Sequence, residues 1–163
     1  MKEQREKFHE DRRPDGISFV IPVYNEELEI VPTIKTLQAN LEKLDRPFEV
    51  IVVDDGSSDD TLARTLELKD VQVISHPVNS GYGRSLKTGI LAAHYDWIGI
   101  TDADGTYDIS QLEKLVAEMD KGFDMVVAHR QNISEHDSLA KQFSRKLLVT
   151  FIQWIVSGRL VDP

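Results

Sequence analysis

The 163-residue chain has no cysteine. That excludes disulfides, thiolate metal sites and a cysteine nucleophile, and it fits a reducing compartment. No apolar run reaches the roughly 20 residues that a membrane-crossing helix needs. Residues 1–16 are dense in charge and lack the apolar stretch of a signal peptide. Basic residues are the minority: 19 Lys and Arg stand against 28 Asp and Glu, a net charge of −9. A general nucleic-acid binder needs a basic face, so that class is disfavoured. With cations this scarce, a site for an anionic substrate must gather them locally. Two glycine signatures are also missing. After Gly81-Tyr82-Gly83, the third glycine of a dinucleotide fingerprint would fall at Leu86, and Lys87-Thr88 lacks the preceding glycine of a P-loop. A nicotinamide-dependent oxidoreductase is therefore a poor reading.

What is present is the composition of a globular domain, 40% hydrophobic and 29% charged. Residues 1–15 read as a charged tail and 16–163 as one domain. Within it, β-branched runs alternate with helical stripes. Strands are expected at 17–23, 48–53, 71–75, 97–101 and 125–128. A helix stripe runs through Ile30, Ile34, Leu37, Leu41 and Leu44. Further helices are expected at 61–68, capped by Ser58 or Asp59, and at 84–93. Another follows a capping box at Ser110-Gln111-Leu112-Glu113, and a last one covers 138–157. Such alternation implies βαβ units, an α/β fold and a mostly parallel sheet flanked by helices.

Ligands of such sheets bind beyond the carboxyl ends of the strands. A polar cluster follows each expected strand: Tyr24-Asn25-Glu26, Asp54-Asp55, Asn79 to Arg84, Asp102 to Asp104, and His129-Arg130. Asp102-Ala103-Asp104 puts two carboxylates at a strand end, where a hard divalent cation could take oxygen ligands and keep room for phosphate. Two solvated loop acids are the bland alternative, and only the position after a buried strand raises the pair above it. Asp54 or Asp55 could accept hydrogen bonds from a ribose or a base while Ser58 or Asp59 caps the next helix. Tyr24 could flank a base; Glu26 touches the nucleoside or simply opens a helix. Gly81 to Arg84, with Gly83 and Arg84, is either an anion-approaching helix start or a plain turn. Arg130 and Arg145 are candidate phosphate partners, with a solvated helix face the alternative for Arg145. The five histidines show no metal spacing and read as surface or core residues.

Taken in order, Pro22-Val-Tyr-Asn-Glu26, Val53 to Thr61, Asn79 to Gly83, Asp102-Ala103-Asp104 and Val127 to Arg130 resemble the family 2 glycosyltransferases of GT-A fold. The resemblance covers residues 17–163 and looks closest to the dolichyl- or polyprenyl-phosphate sugar synthases. It implies a Rossmann-like nucleotide-sugar fold and a UDP- or GDP-sugar donor. Pro22, Tyr24, Glu26, Asp54, Asp55, Gly83 and Arg84 would then lie toward the donor. It implies Mg²⁺ or Mn²⁺ at Asp102 and Asp104, around Ala103, and phosphate contact by Arg130, with Arg145 a further candidate. Asp102, Asp104 and Arg130 would form the catalytic set of an inverting transfer. The acceptor would be a polyprenyl phosphate, or a saccharide hydroxyl in polysaccharide synthesis. In the mannose synthases a Gln stands two residues after the second Asp; here it is Thr106. The family pattern continues past Pro163, so the chain reads as truncated, with a non-catalytic nucleotide-binding fragment as the runner-up. The apolar residues 147–156 are too short to span a bilayer. They would meet a missing C-terminal segment, a second copy of the chain or a lipid headgroup region. Together these features place the full-length protein at the cytoplasmic face of a membrane.

Overall fold

The structure is a computed structural model and describes residues 13–128. Arg130, Arg145, the helix expected over 138–157 and the apolar segment 147–156 lie outside those residues. The chain divides into two compact units, Met1–Val116 and Ala117–Pro163.

In the first unit four strands form one parallel sheet: β1 (Arg13–Val23), β2 (Phe48–Asp54), β3 (Val71–Ser75) and β4 (Tyr95–Ile100). Three helices connect them: α1 (Ile30–Leu41), α2 (Thr61–Leu66) and α3 (Tyr82–Ala92). The strand order is β3-β2-β1-β4, with β1 paired to both β2 and β4. The expected α/β parallel sheet is thus what the chain forms. β1 begins earlier than its apolar run suggests, because Arg13 pairs with Tyr95 through the backbone before a register shift ahead of Ile17.

The order dictates where the helices sit. Crossovers between parallel strands are right-handed, so the steps β1→β2→β3 place α1 and α2 on one face. The return step from β3 past β2 and β1 to β4 places α3 on the other. Gly89 of α3 lies against Val20 of β1 and Val53 of β2, where a Cβ would come within 2.3 Å of Val20 Cγ1. On the opposite face Phe19 lies over Gly99. The core between these layers is fully buried at Val20, Ile21, Ile51, Val52 and Val53, with Ile30, Ile34, Leu37 and Leu41 of α1. These are apolar positions of the β-branched runs and of the helix stripe read from the sequence.

A short 3-10 turn (Ile109–Gln111) leads into α4 (Leu112–Met119). The capping box expected at Ser110 is not formed. Asp108 caps instead, its carboxylate accepting from the Ser110 N–H at 3.1 Å. In the second unit α4 ends in a turn closed by Gly122, whose φ of +91° suits a glycine. The strand expected at 125–128 is absent: these residues carry no regular structure, and Met125 and Val127 are 78% and 68% exposed. An apolar run becomes a strand only when it finds a ladder partner, and among the described residues this one has none. No helix among the described residues is long and apolar enough to cross a membrane.

Candidate functional site

Strand order reverses between β1 and β4, and in open parallel sheets the crevice at such a reversal receives ligands. The segments leaving β1, β2 and β4 surround it, joined by the segment after β3.

The β1 and β2 segments are stitched together. Asn25, at φ +56°, donates its N–H to Ser57 Oγ at 3.0 Å and accepts from the Ser58 N–H at 2.8 Å. The Glu26 N–H donates to Thr61 Oγ1 at 2.8 Å, and its carbonyl accepts from the Ile30 N–H as α1 starts. Glu27 and Asp59 bridge the same two loops. Neither cap considered for α2 holds the N-cap position, which Asp60 takes without a side-chain bond; Asp59, one residue earlier, accepts from both the N–H and the hydroxyl of Thr61. Burial raises the Asp59 pKa, but these bonds outweigh it and hold the carboxyl below its ordinary value. Pro22 is buried at the end of β1, Tyr24 is exposed and Glu26 is half-buried.

Asp54 and Asp55 are both buried, at 1% and 4% exposure. Asp54 accepts from the Ser57 N–H and the Ser75 hydroxyl. Asp55 Oδ1 accepts from the Ser80 N–H at 3.0 Å and lies 2.7 Å from His76 Nδ1; Oδ2 accepts from the Gly81 N–H at 2.7 Å. Burial pushes Asp55 up, but these donors outweigh it and leave its pKa below the usual carboxylate value. The buried Ser85 hydroxyl lacks a partner of full hydrogen-bond geometry, yet lies close enough to favour the ionised form. The other ring nitrogen of His76 meets Thr88 Oγ1 on α3 at 3.0 Å. His76 therefore takes a core-type role that sequence reasoning did not single out. The signal was available: Asp54 pairs with Ser75 across β2 and β3, so the next residue of each strand falls side by side. Gly56, at φ +72°, is required because the backbone of Val78 and Asn79 passes where a Cβ would stand, within 2.7–2.9 Å.

The β4 segment carries the paired acids. Ala103 is buried, and its carbonyl accepts from Thr33 Oγ1 of α1 at 3.2 Å, which pins the backbone between the two. Asp102 is half-buried and Asp104 exposed. Asp102 Oδ1 accepts from the Tyr82 hydroxyl at 3.0 Å. Asp104 Oδ1 accepts from both the N–H and the hydroxyl of Thr106. Partial burial, together with the bond to Asp102, pushes Tyr82 up to about 12. Neither Tyr82 nor Thr106 was expected as a partner of these acids. Gly83 and Arg84 lie exposed on the first turn of α3. Among the described residues no cluster of three or more His, Asp or Glu forms a protein-only metal cage. The donor set nevertheless fits an ion of the Mg²⁺ class, which is commonly held by one or two carboxylates with phosphate and water completing its shell.

Comparison with known proteins places this arrangement. The model of "Glycosyl transferase family 2" matches residues 18–159. An uncharacterized glycosyltransferase of Mycobacterium tuberculosis is 37% identical over 120 residues, covering 74% of this chain and 51% of that protein. The undecaprenyl-phosphate 4-deoxy-4-formamido-L-arabinose transferase of Salmonella paratyphi A is 34% identical over 142 residues, covering 84% of this chain and 43% of that protein. This chain thus spans about half the length of these relatives. The crystal structure of glucosyl-3-phosphoglycerate synthase from Mycobacterium tuberculosis, in complex with Mn²⁺, UDP and glucosyl-3-phosphoglycerate, is 29% identical. It superposes with a TM-score of 0.54 over 64% of this chain and 39% of that one. On the strength of the sheet, the rim motifs and these matches, the chain belongs to glycosyl transferase family 2, with the GT-A fold.

Proposed function

We propose that the chain binds a nucleoside diphosphate sugar, UDP- or GDP-linked, across the carboxyl ends of β1, β2 and β4. From there the sugar passes, with inversion, to a polyprenyl phosphate. The observation that carries this is the Asp102-Ala103-Asp104 segment leaving β4 beside β1, where strand order reverses. The resemblance to an undecaprenyl-phosphate sugar transferase supports the acceptor class.

In this assignment Tyr24 and Glu26 face the nucleoside. Asp54 and Asp55, whose oxygens are engaged inside the protein, serve that side by fixing the backbone of Ser57, Ser80 and Gly81. Gly83 and Arg84 offer the start of α3 to the diphosphate. Asp102 and Asp104 would hold Mg²⁺ or Mn²⁺, which supplies Lewis-acid stabilisation of the departing diphosphate. Arg130 and Arg145 add positive charge on the leaving side. A phosphate acceptor is already ionised near neutral pH, so the chain need not supply a general base, as a saccharide hydroxyl would require. Residues 147–156 would bring the site to the cytoplasmic face of a membrane, where a lipid-linked acceptor resides.

The second reading is a nucleotide-binding fragment without turnover. Calorimetric titration with UDP and GDP, with and without Mn²⁺, tests the site. One nucleotide is expected to bind more tightly with metal, and Asp104→Asn to remove that dependence. Binding indifferent to metal, or an Asp104→Asn variant identical to wild type, would refute it. Sugar transfer to undecaprenyl phosphate then separates enzyme from fragment.

A further inference from the structure

Both acids after β4 are gripped through one oxygen. Tyr82 holds Asp102 by Oδ1, reaching across from α3. Thr106 holds Asp104 by Oδ1 with two donors, its N–H at 3.0 Å and its hydroxyl at 2.8 Å. None of these bonds uses Oδ2. The backbone that carries the pair is restrained as well, through the buried Ala103 and the bond from Thr33 to its carbonyl. With Oδ1 of each acid engaged by a donor, Oδ2 is the oxygen left to an ion.

That restraint matters because divalent ions differ in what they ask of a carboxylate. Mg²⁺ demands near-octahedral geometry with short bonds, and it suits single oxygens from one or two acids beside phosphate and water. Ca²⁺ is larger, takes more oxygens, and often uses both oxygens of a carboxylate. Partners that hydrogen-bond to metal-ligating groups fix their orientation, and removing such partners changes metal affinity.

We infer that Tyr82 and Thr106 are positioning residues that hold Asp102 and Asp104 to one oxygen each, and thereby set a preference for Mg²⁺ or Mn²⁺ over Ca²⁺. This rests on the metal assignment made above. Both residues are exposed, and Tyr82 is 54% so, which makes their replacement compatible with folding. Oδ1 of each acid keeps a second lone pair, so the grip biases the choice and does not forbid the larger ion.

The test is direct binding. Mn²⁺ affinity is read by electron paramagnetic resonance in the presence of saturating nucleoside diphosphate, and Ca²⁺ affinity by competition against it. For the Tyr82→Phe/Thr106→Ala double variant, the ratio of Ca²⁺ to Mn²⁺ affinity is expected to rise about tenfold. Thr106→Ser, which keeps the hydroxyl, is expected to retain the wild-type ratio. A metal-free melting curve checks that each variant is folded. A double variant that binds Mn²⁺ with an unchanged ratio overturns the inference and leaves the metal site standing. One that binds neither ion also overturns it, because the two residues would then support binding without choosing between ions. A wild-type chain that binds no metal at all removes the metal assignment itself.

Discussion

Replacing Asp55 with Ala removes one carboxylate and strands several donors. His76 Nδ1 and the Ser80 N–H lose this acceptor, while the Gly81 N–H keeps Asn79 Oδ1 at 3.2 Å. A hydrogen bond to a charged group contributes about 1.5–3 kcal/mol, and a buried donor left unpaired costs its own desolvation. The three donors are not equivalent. Gly81 is exposed and Ser80 half-buried, so water can replace much of what they lose. The His76 side chain is only 11% exposed and cannot recover in that way. The expected cost is therefore about 3 kcal/mol, well below three full bonds. Urea unfolding measures it as a lower midpoint at unchanged slope. The pH dependence is a second handle. The folded pKa of Asp55 lies below its unfolded value of 3.8. Its contribution is thus complete above pH 3.8 and is lost as pH falls through the lower, folded value. The gap between wild type and Asp55→Ala should close over that acid window. A loss under about 1 kcal/mol at neutral pH, or a gap that persists in acid, would refute the role given to this carboxylate.

Two further substitutions probe the frame around the site. Gly56→Ala must adopt a positive φ and place its Cβ against the backbone of Val78 and Asn79, so thermal melting should register a loss of at least about 2 kcal/mol. Glu49 sits at the opposite end of the sheet and accepts from the Ser18 hydroxyl and the His94 N–H, while its other oxygen meets the His94 ring. Burial raises its pKa, but these bonds outweigh it and leave the folded value below 4.5. Glu49→Gln should therefore lower stability by about 1 kcal/mol at pH 7 and become neutral as pH falls below the folded value; a penalty that grows in acid would contradict this.

The strands, the helix stripes and the acids at the strand ends were legible because each is a local pattern. The run Val50 to Val53 is buried on both faces, and Asp54-Asp55 marks where the strand meets the crevice. What escaped depends on chain segments far apart in sequence. Tyr82 meets Asp102 only because α3 crosses back over β2 and β1 to deliver β4 to the far side of β1. Nothing within a window around either residue encodes that return. The core reading allowed for the histidines holds for His76, but its partner escaped for the same reason, although adjacency of β2 and β3 would have placed it beside Asp55. Local chemistry also misled where two residues compete for one role: Asp108 reaches the Ser110 N–H and displaces the capping box that Ser110 and Glu113 suggest. The start of β1 was hidden because pairing with β4 is a backbone matter, indifferent to the charge of Arg13.

The central place of β1 also has a bearing on how the protein comes into being. Ile17 must find Phe48 on one side and Trp97 on the other. Closing the shorter loop costs less entropy, and during synthesis the residues for it emerge earlier. The half proposed for the nucleoside, built from β1, β2, β3 and the loops they hold, can therefore close while β4 is still unplaced. Asp102 and Asp104 arrive later, on the segment that follows β4, the last strand among the described residues. Pulse-labelled hydrogen exchange during refolding would then protect the amides of Val50 to Val53 ahead of those of Ile98 to Ile100. An arrested chain would hold the proposed nucleoside platform before the acids proposed for the metal.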